Sequence, residues 1–411
     1  MTNLLKSIIS GIFVLTLVNS SWGQSTAIIS GQDTSRRVIT TAVPFLMIAP
    51  DARSGAMGDV GSAISADPNS IHWNPAKLAH IKTDIGFSLS YTPWLGKIIN
   101  DMSISYLAGY KKITREQAVG MSIRFFDLGD IQLTDENGSP LGRFSPREFA
   151  IDGTYSRILT EHLSLGLSAR FIHSNLSGNF TAPGNDGKNG TSIAVDLGAF
   201  YQRDLLLSGA NSNIAFAAVM SNIGKKITYS NDSNEDFIPG NLRLGTAFTT
   251  NLDPFNTLTI AMDFNKLLVP TPPVFKVDSA GRFVDSNGDG TPDIERGKNP
   301  NRSLLSGTFG SFTDAPDGFS EEMKEFSIGT GLEYWYKHLF AARAGYFWES
   351  ADKGDRKYFT LGLGFRYQVF GVDFAYLVPT QQNHPLAETL RFTLVFNFDT
   401  KKIEESVTDE D

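Results

Sequence analysis

The sequence predicts an all-β protein, a transmembrane antiparallel β-barrel of 14 strands with a small N-terminal hatch or plug segment. Three observations predict it. Short segments alternate strictly between apolar and polar residues, the connections between them are short on one side and long on the other, and no apolar run reaches the length of a helical span.

The alternation is clearest near the carboxy terminus. Leu390, Phe392, Leu394, Phe396 and Phe398 share one face, with Thr389, Arg391, Thr393 and Asn397 on the other. Phe359, Leu361, Leu363, Phe365 and Tyr367 alternate with Thr360, Gly362, Gly364 and Arg366, and Phe326–Tyr336 follows the same rule. Side chains of a strand point to opposite faces in turn, so each segment has one greasy and one polar side. Fourteen such segments start near Thr83, Asp101, Glu116, Pro146, Leu163, Gly190, Asn213, Gly240, Asn256, Glu325, Leu339, Arg356, Phe370 and Ala387. An even count returns both ends of the chain to the same side, expected to be the periplasm.

The connections after even-numbered segments are short, as at Lys112–Arg115, Leu159–His162, Leu252–Pro254, Lys337–His338 and Gln368–Val369. Those after odd-numbered segments are mostly longer: Leu128–Ser145, Ser174–Asn189, Ile223–Pro239 and the very long outer loop Lys266–Lys324. Arg203–Ser212 fits worst, a longish turn on the short side. A soluble sandwich has no reason to sort its loops in this way.

Composition agrees. The 411 residues include 38 glycines, 30 phenylalanines and 12 tyrosines, with no cysteine, so neither disulfides nor thiolate metal sites are available. The formal charge of −8 argues against nucleic acid as a partner. Eleven charges fall within the strands on the polar face: Arg124, Asp152, Arg170, Asp196, Arg243, Asp263, Glu333, Arg343, Arg366, Asp373 and Arg391. A Lys or Arg facing lipid at mid-membrane costs about 2–4 kcal/mol, so these charges are expected to point inward and pair with one another.

The ends carry their own signals. Lys6 followed by the apolar run Ile8–Val18 and the small residues of Ser21-Trp22-Gly23 reads as an export signal over residues 1–23. Residues 24–82 precede the barrel proper, residues 83–398. Within them lie the small-residue run Ala52–Ala66 and the turn-forming Trp73-Asn74-Pro75-Ala76, suited to close packing inside a barrel. Asp399–Asp411 is expected to be an acidic tail in the periplasm.

Chemistry finds little footing. Six scattered histidines form no metalloprotease helix motif, and nucleophile-elbow, phosphate-loop and dinucleotide fingerprints are missing. No enzyme and no cofactor is expected. Asp285, Asn287, Asp289 and Asp293 have the spacing of the first part of a calcium loop, although Arg296 stands where a bidentate Glu belongs. The strip Leu267, Leu268, Val269, Pro270, Pro272, Pro273 and Val274 is apolar and extended by its prolines. On an outer loop it is either a lid over the barrel mouth or an exposed strip for a partner.

The run DPNSIHWNPAKLA, Asp67–Ala79, and the glycine- and alanine-rich ARSGAMGDVGSAISA before it are similar to the hatch of the FadL family of outer-membrane transport barrels. Within that superfamily TAVPFLMIAPDARSGAMGDVG, IHWNPAKLA and LVPTPPV resemble the PorV-type barrels of type IX secretion in Bacteroidetes. That resemblance implies a non-enzymatic carrier of secreted cargo. It would bind the cargo's C-terminal signal domain as it leaves an SprA-like translocon and pass it to a PorU-like sortase and attachment complex. The broader FadL resemblance implies instead a passage for fatty acids or other hydrophobic molecules. Either way the surrounding partner is outer-membrane lipid.

Overall fold

The computed structural model describes residues 37–399 apart from 97–98, 100, 135–136, 177–187, 230–234, 280, 382–385 and 387–388. The expected signal segment, and the tail beyond Asp399, lie outside the described residues.

The chain runs through β1 (Ile85–Pro93), β2 (Ser103–Lys112), β3 (Gln117–Asp127), β4 (Ile131–Thr134), β5 (Pro140–Phe144) and β6 (Arg147–Ile158). It continues with β7 (Leu163–Asn175), β8 (Gly190–Leu207), β9 (Ala210–Gly224), β10 (Asn241–Asn251), β11 (Asn256–Leu267), β12 (Val274–Phe275) and β13 (Ile294–Arg296). The last five are β14 (Phe326–Tyr336), β15 (Phe340–Trp348), β16 (Lys357–Tyr367), β17 (Phe370–Pro379) and β18 (Leu390–Phe398). β4–β5 and β12–β13 are separate two-stranded ribbons, and the other fourteen form one closed antiparallel barrel. The fourteen starts read from the sequence fall within three residues of these strands.

Closure follows from the register of β1 with β18, from Ile85 opposite Phe398 to Tyr91 opposite Phe392. No barrel strand is left with an open row of amides at membrane depth, where nothing in hydrocarbon could satisfy them. The two faces then divide as the alternation requires. On β1 Ile85, Phe87, Leu89 and Tyr91 are exposed, whereas Ser88, Ser90 and Thr92 are buried. On β16 Phe359, Leu361, Leu363, Phe365 and Tyr367 all face outward. An apolar band of this kind around a whole barrel is stable only in lipid. Aromatic contacts lie at both ends: Phe365 meets Phe340 and Tyr367, and Phe370 meets Phe396, at the short-turn end, while Tyr346 meets Phe359 and Phe149 meets Phe171 at the other. Such aromatics suit the membrane interface.

The misfit at Arg203–Ser212 disappears in three dimensions. β8 and β9 keep pairing as far as Leu207 opposite Ala210, and only Ser208 and Gly209 turn the chain, with φ of 50° and 83°. Lys337, His338 and Leu339 join β14 to β15, the first two in the same left-handed way with φ of 51° and 55°. Two residues of positive φ match the twist of the flanking strands, so both are tight hairpins. The loop-rich end carries structure that the alternation did not reveal: the two ribbons and the short helices Leu304–Gly310 and Phe319–Lys324.

Glycines on the lumen face leave room for chain inside. A Cβ on Gly345 would stand 2.1 Å from the amide nitrogen of Gly58, and one on Gly331 would stand 2.5 Å from the carbonyl oxygen of Met57. We predict that Gly345→Val lowers the melting temperature in detergent by several degrees, since backbone must shift at a cost of about 1–3 kcal/mol. Gly153→Ala, which meets nothing within 4 Å, should melt like the parent.

Candidate functional site

The polar face of the barrel encloses residues 42–81. Small residues and two caps shape this inner segment. Asp51 caps the turn Ala52–Gly55 by accepting from the Ser54 amide at 2.9 Å, and also accepts from Trp73 Nε1 at 2.6 Å. Asn74 caps the turn Pro75–His80 by accepting from the Ala76 amide at 3.0 Å, with Pro75 at the first position where a missing N–H costs nothing. Asn74 then donates to the carbonyls of Ser62 and of Ala199 on β8. Ala76 is held through its carbonyl, which accepts from Ser156 on β6 and Ser164 on β7. Gly166 and Gly198 make this possible, because a Cβ on either would lie 2.3 Å from Ala76 N or Asn74 Oδ1. The motif Asn74-Pro75-Ala76 is thus wedged against β6, β7 and β8.

The rest of the segment is tied to strands around the barrel. Asp263 on β11 accepts from the amides of Gly61 and Ser62 at 3.0 Å each. Thr360 on β16 accepts from Gly58 N, and Thr393 on β18 from Ala52 N. Arg124 on β3 donates to the carbonyls of Phe45 and Leu46 at 3.1 and 2.8 Å. Arg53 grips Glu333 on β14 with both forks, at 2.9 and 2.8 Å, and reaches Asp67 at 3.0 Å.

The lumen charges pair with one another only in part, since Arg124, Arg243 and Asp263 bond to backbone or amide groups instead. Arg170 bridges Asp152 and Asp196 at 2.5 and 2.8 Å, and Arg343 bridges Glu333 and Asp373 at 2.7 Å each. Arg391 meets Asp59 at 3.1 Å. Ten of the eleven strand charges are buried, and Arg366 is half-buried at 2.5 Å from Asp373. The sequence did not foresee how many of these partners come from the inner segment rather than from neighbouring strands.

Above the inner segment the loop Lys266–Lys324 folds down on the barrel. Leu268 and Val269 are 1% and 3% exposed, Pro270 and Pro273 are buried, and Leu267, Pro272 and Val274 are half-buried. The strip is therefore the packed lid of the two alternatives, not an exposed recognition strip. Its three prolines have no N–H to leave unsatisfied, so this stretch can be buried without a ladder partner. Buried charges pin the loop base. Lys266 lies 3.1 Å from Glu322 and 2.5 Å from Glu325, and Lys353 lies 2.7 Å from Glu321 and 2.9 Å from Glu325. What the loop shows to solvent is different: Phe319 at 79%, Phe283 at 67%, Leu305 at 64% and Phe309 at 63% exposure. Between loop and inner segment lies a cavity of about 610 Å³ lined by Phe45, Met47, Trp94, Met102 and Phe126, with the ion pairs Arg356–Glu349, Arg391–Asp59 and Lys353–Glu325 on its polar side.

The acidic turn in the same loop satisfies itself. Asp285 accepts from the amides of Gly288 and Gly290, Asp289 from Thr291, and Asn287 donates to Asp289. Among the described residues no group of three or more His, Cys, Asp or Glu is arranged to hold a metal ion.

Loop docking should depend on acid. Burial pushes the Glu321 carboxyl up, but hydrogen bonds from Arg37 and Lys353 outweigh it and hold it down at about 2. A carboxylate lower in the folded than in the free state stabilises above its free value and loses that effect as pH falls. We predict intact docking above the ordinary value of 4.5 and progressive release between there and about 2. Hydrogen exchange over residues 314–325, corrected for intrinsic rates, should show the release, and Glu321→Gln should flatten it.

The pattern of a filled, lipid-facing barrel can now be set beside known proteins. The family described as type IX secretion system protein PorV matches residues 31–274, more than half of the chain. Among solved structures the chain is similar to the toluene transporter TbuX of Ralstonia pickettii, at 13% identity over 85% of this chain and 98% of that one, with a TM-score of 0.44. It is similar to the Pseudomonas putida toluene transporter TodX at 14% identity, 85% and 98% coverage and a TM-score of 0.45. A Pseudomonas aeruginosa FadL homologue shares 12% identity over 88% of this chain and 100% of its own, with a TM-score of 0.43. No curated protein sequence matches the chain. The extent of the family match settles the assignment: this chain belongs to the PorV family of outer-membrane type IX secretion system proteins.

Proposed function

We propose that this barrel is a plugged, non-enzymatic interaction module of type IX secretion. Residues 42–81 act as the plug, and the long-loop face meets the C-terminal domain of cargo leaving an SprA-like translocon before delivery to a PorU-like attachment complex. The observation that carries this reading is the inner segment, bonded to strands on many sides of a lumen it shares with buried ion pairs. A barrel filled in this way is suited to presenting a surface. The surface in question is the loop's set of exposed apolar residues, since such groups on an outer face normally mean a partner.

A second reading has one observation in its favour. The cavity between loop and inner segment is lined by Phe45, Trp94, Met102 and Phe126, which suits a hydrophobic small molecule, while its arginines are already paired with Glu349 and Asp59. Affinity isolation of the native protein from detergent separates the two. Recovery of a very large barrel together with secreted proteins supports the carrier; bound fatty acid alone supports the transporter.

Two further outcomes are expected. Phe309→Asp combined with Phe319→Asp, both far out in solvent, should leave the barrel inserted and heat-stable yet cut secretion of type IX cargo at least tenfold. Normal secretion would remove the proposed loop surface. The orientation is tested apart from this, because the chain has no native cysteine. In intact cells a membrane-impermeant maleimide should label Phe319→Cys but not Ser208→Cys, and the reverse pattern would place the termini outside.

A further inference from the structure

The outer wall of the barrel is not a smooth cylinder. On the lipid-facing side of β6 to β9, at the long-loop end, lies a groove of about 870 Å³. Its floor is Ile151, Phe171, Ile193 and Val195, the last three exposed and Ile193 to 66%. The groove has a local cause. The register of β8 with β9 shifts between Val195 and Leu197, and such a bulge bends the strand and increases its twist. Gly224, at the end of β9, adds no bulk: a Cβ there would stand 2.2 Å from the Ile193 carbonyl.

The rim of this groove is mainly cationic. Among the described residues, Lys225, Lys226 and Arg302 stand on it with one carboxylate, Glu235. Lys225 is exposed. Lys226 places its ammonium 4.3 Å above the Phe237 ring. Arg302 donates to the Asn299 carbonyl at 2.6 Å and lies 3.8 Å from Asp314, so part of its charge is shared. Among the described residues, three cations against one carboxylate on the rim and one behind it leave a net positive charge.

An apolar floor in the hydrocarbon and a cationic rim at its edge select a ligand with the opposite arrangement. We propose that this groove binds a phosphorylated, multiply acylated glycolipid of the outer leaflet, of the lipid A class. Acyl chain lies along Phe171, Ile193 and Val195, and the glycan phosphate sits between Lys225, Lys226 and Arg302. A basic cluster at the end of a membrane-embedded apolar surface is the arrangement that recognises anionic lipid headgroups, at about 1 kcal/mol for each cation. The inference rests on the long loops facing outward. Binding in detergent does not depend on orientation, so its failure is distinguishable from a failure of that reading.

The test uses the mature full chain in detergent micelles, with native mass spectrometry to titrate purified lipid A, its chemically dephosphorylated form, and inorganic phosphate. The parent should hold lipid A. Lys225→Ala with Lys226→Ala should hold it about thirtyfold more weakly, the fold-change of about 2 kcal/mol. Dephosphorylated lipid A should bind as weakly to the parent, and inorganic phosphate alone should not be retained. Ile193→Glu, which sets a carboxylate on the apolar floor, should weaken lipid A independently of the rim, and an unchanged melting temperature certifies both variants as folded. Equal retention by the double lysine variant, by Ile193→Glu, or of the phosphate-free lipid would mean an unspecific lipid annulus and overturn the proposal. So would retention of inorganic phosphate as strong as that of lipid A.

Discussion

The structure depends on how it satisfies polar groups inside a closed wall. Arg53, Glu333, Arg343, Asp373 and Arg366 form an unbroken chain of contacts no longer than 2.9 Å, running from the inner segment across β14, β15, β17 and β16. Removing one member of such a chain leaves an uncompensated buried charge, which typically costs about 3–5 kcal/mol. Inner segment and barrel are therefore mutual conditions. The segment has almost no regular structure of its own, and the lumen charges would lack several of their partners without it.

The same constraint accounts for the glycines on the inner face. Gly166, Gly198, Gly331 and Gly345 stand where the inner chain comes within van der Waals distance of strand backbone, so that serine and threonine hydroxyls on neighbouring strands can reach its amides and carbonyls. Packing and hydrogen bonding are coupled here, because a wider gap would lose both. The outward face obeys a simpler rule, with large apolar side chains and few demands on shape. That freedom explains how a bulge in β8 can open a groove on the lipid side while Asp196, at the bulge, stays bonded in the lumen to Arg170 and the Asn222 amide.

At the loop-rich end, buried ion pairs and exposed apolar side chains occupy different residues. The base of the loop is held by Lys266, Lys353, Glu321, Glu322 and Glu325, all buried and paired. Its rim carries phenylalanines that contribute little to that packing. A loop fixed at its root and apolar at its tip keeps a constant shape at its base while its tip stays exposed.

Fourteen strands, the division of their faces and the inward charges were legible in the sequence because alternation has a period of two and lipid punishes a misplaced charge. The Asn74-Pro75-Ala76 turn and the apolar strip Leu267–Val274 were also visible as local chemistry. Where they packed was not. Whether an apolar extended segment is a lid or an exposed strip depends on what lies beneath it: Leu268 and Val269 are buried, and the Leu268 amide bonds the Gly240 carbonyl. The length of the β8–β9 hairpin, the choice of Arg53 as partner for Glu333, and the cationic groove formed by residues far apart in the chain were likewise decided by the closed barrel. Periodicity fixes which way a side chain points; only tertiary structure brings distant residues to the same place.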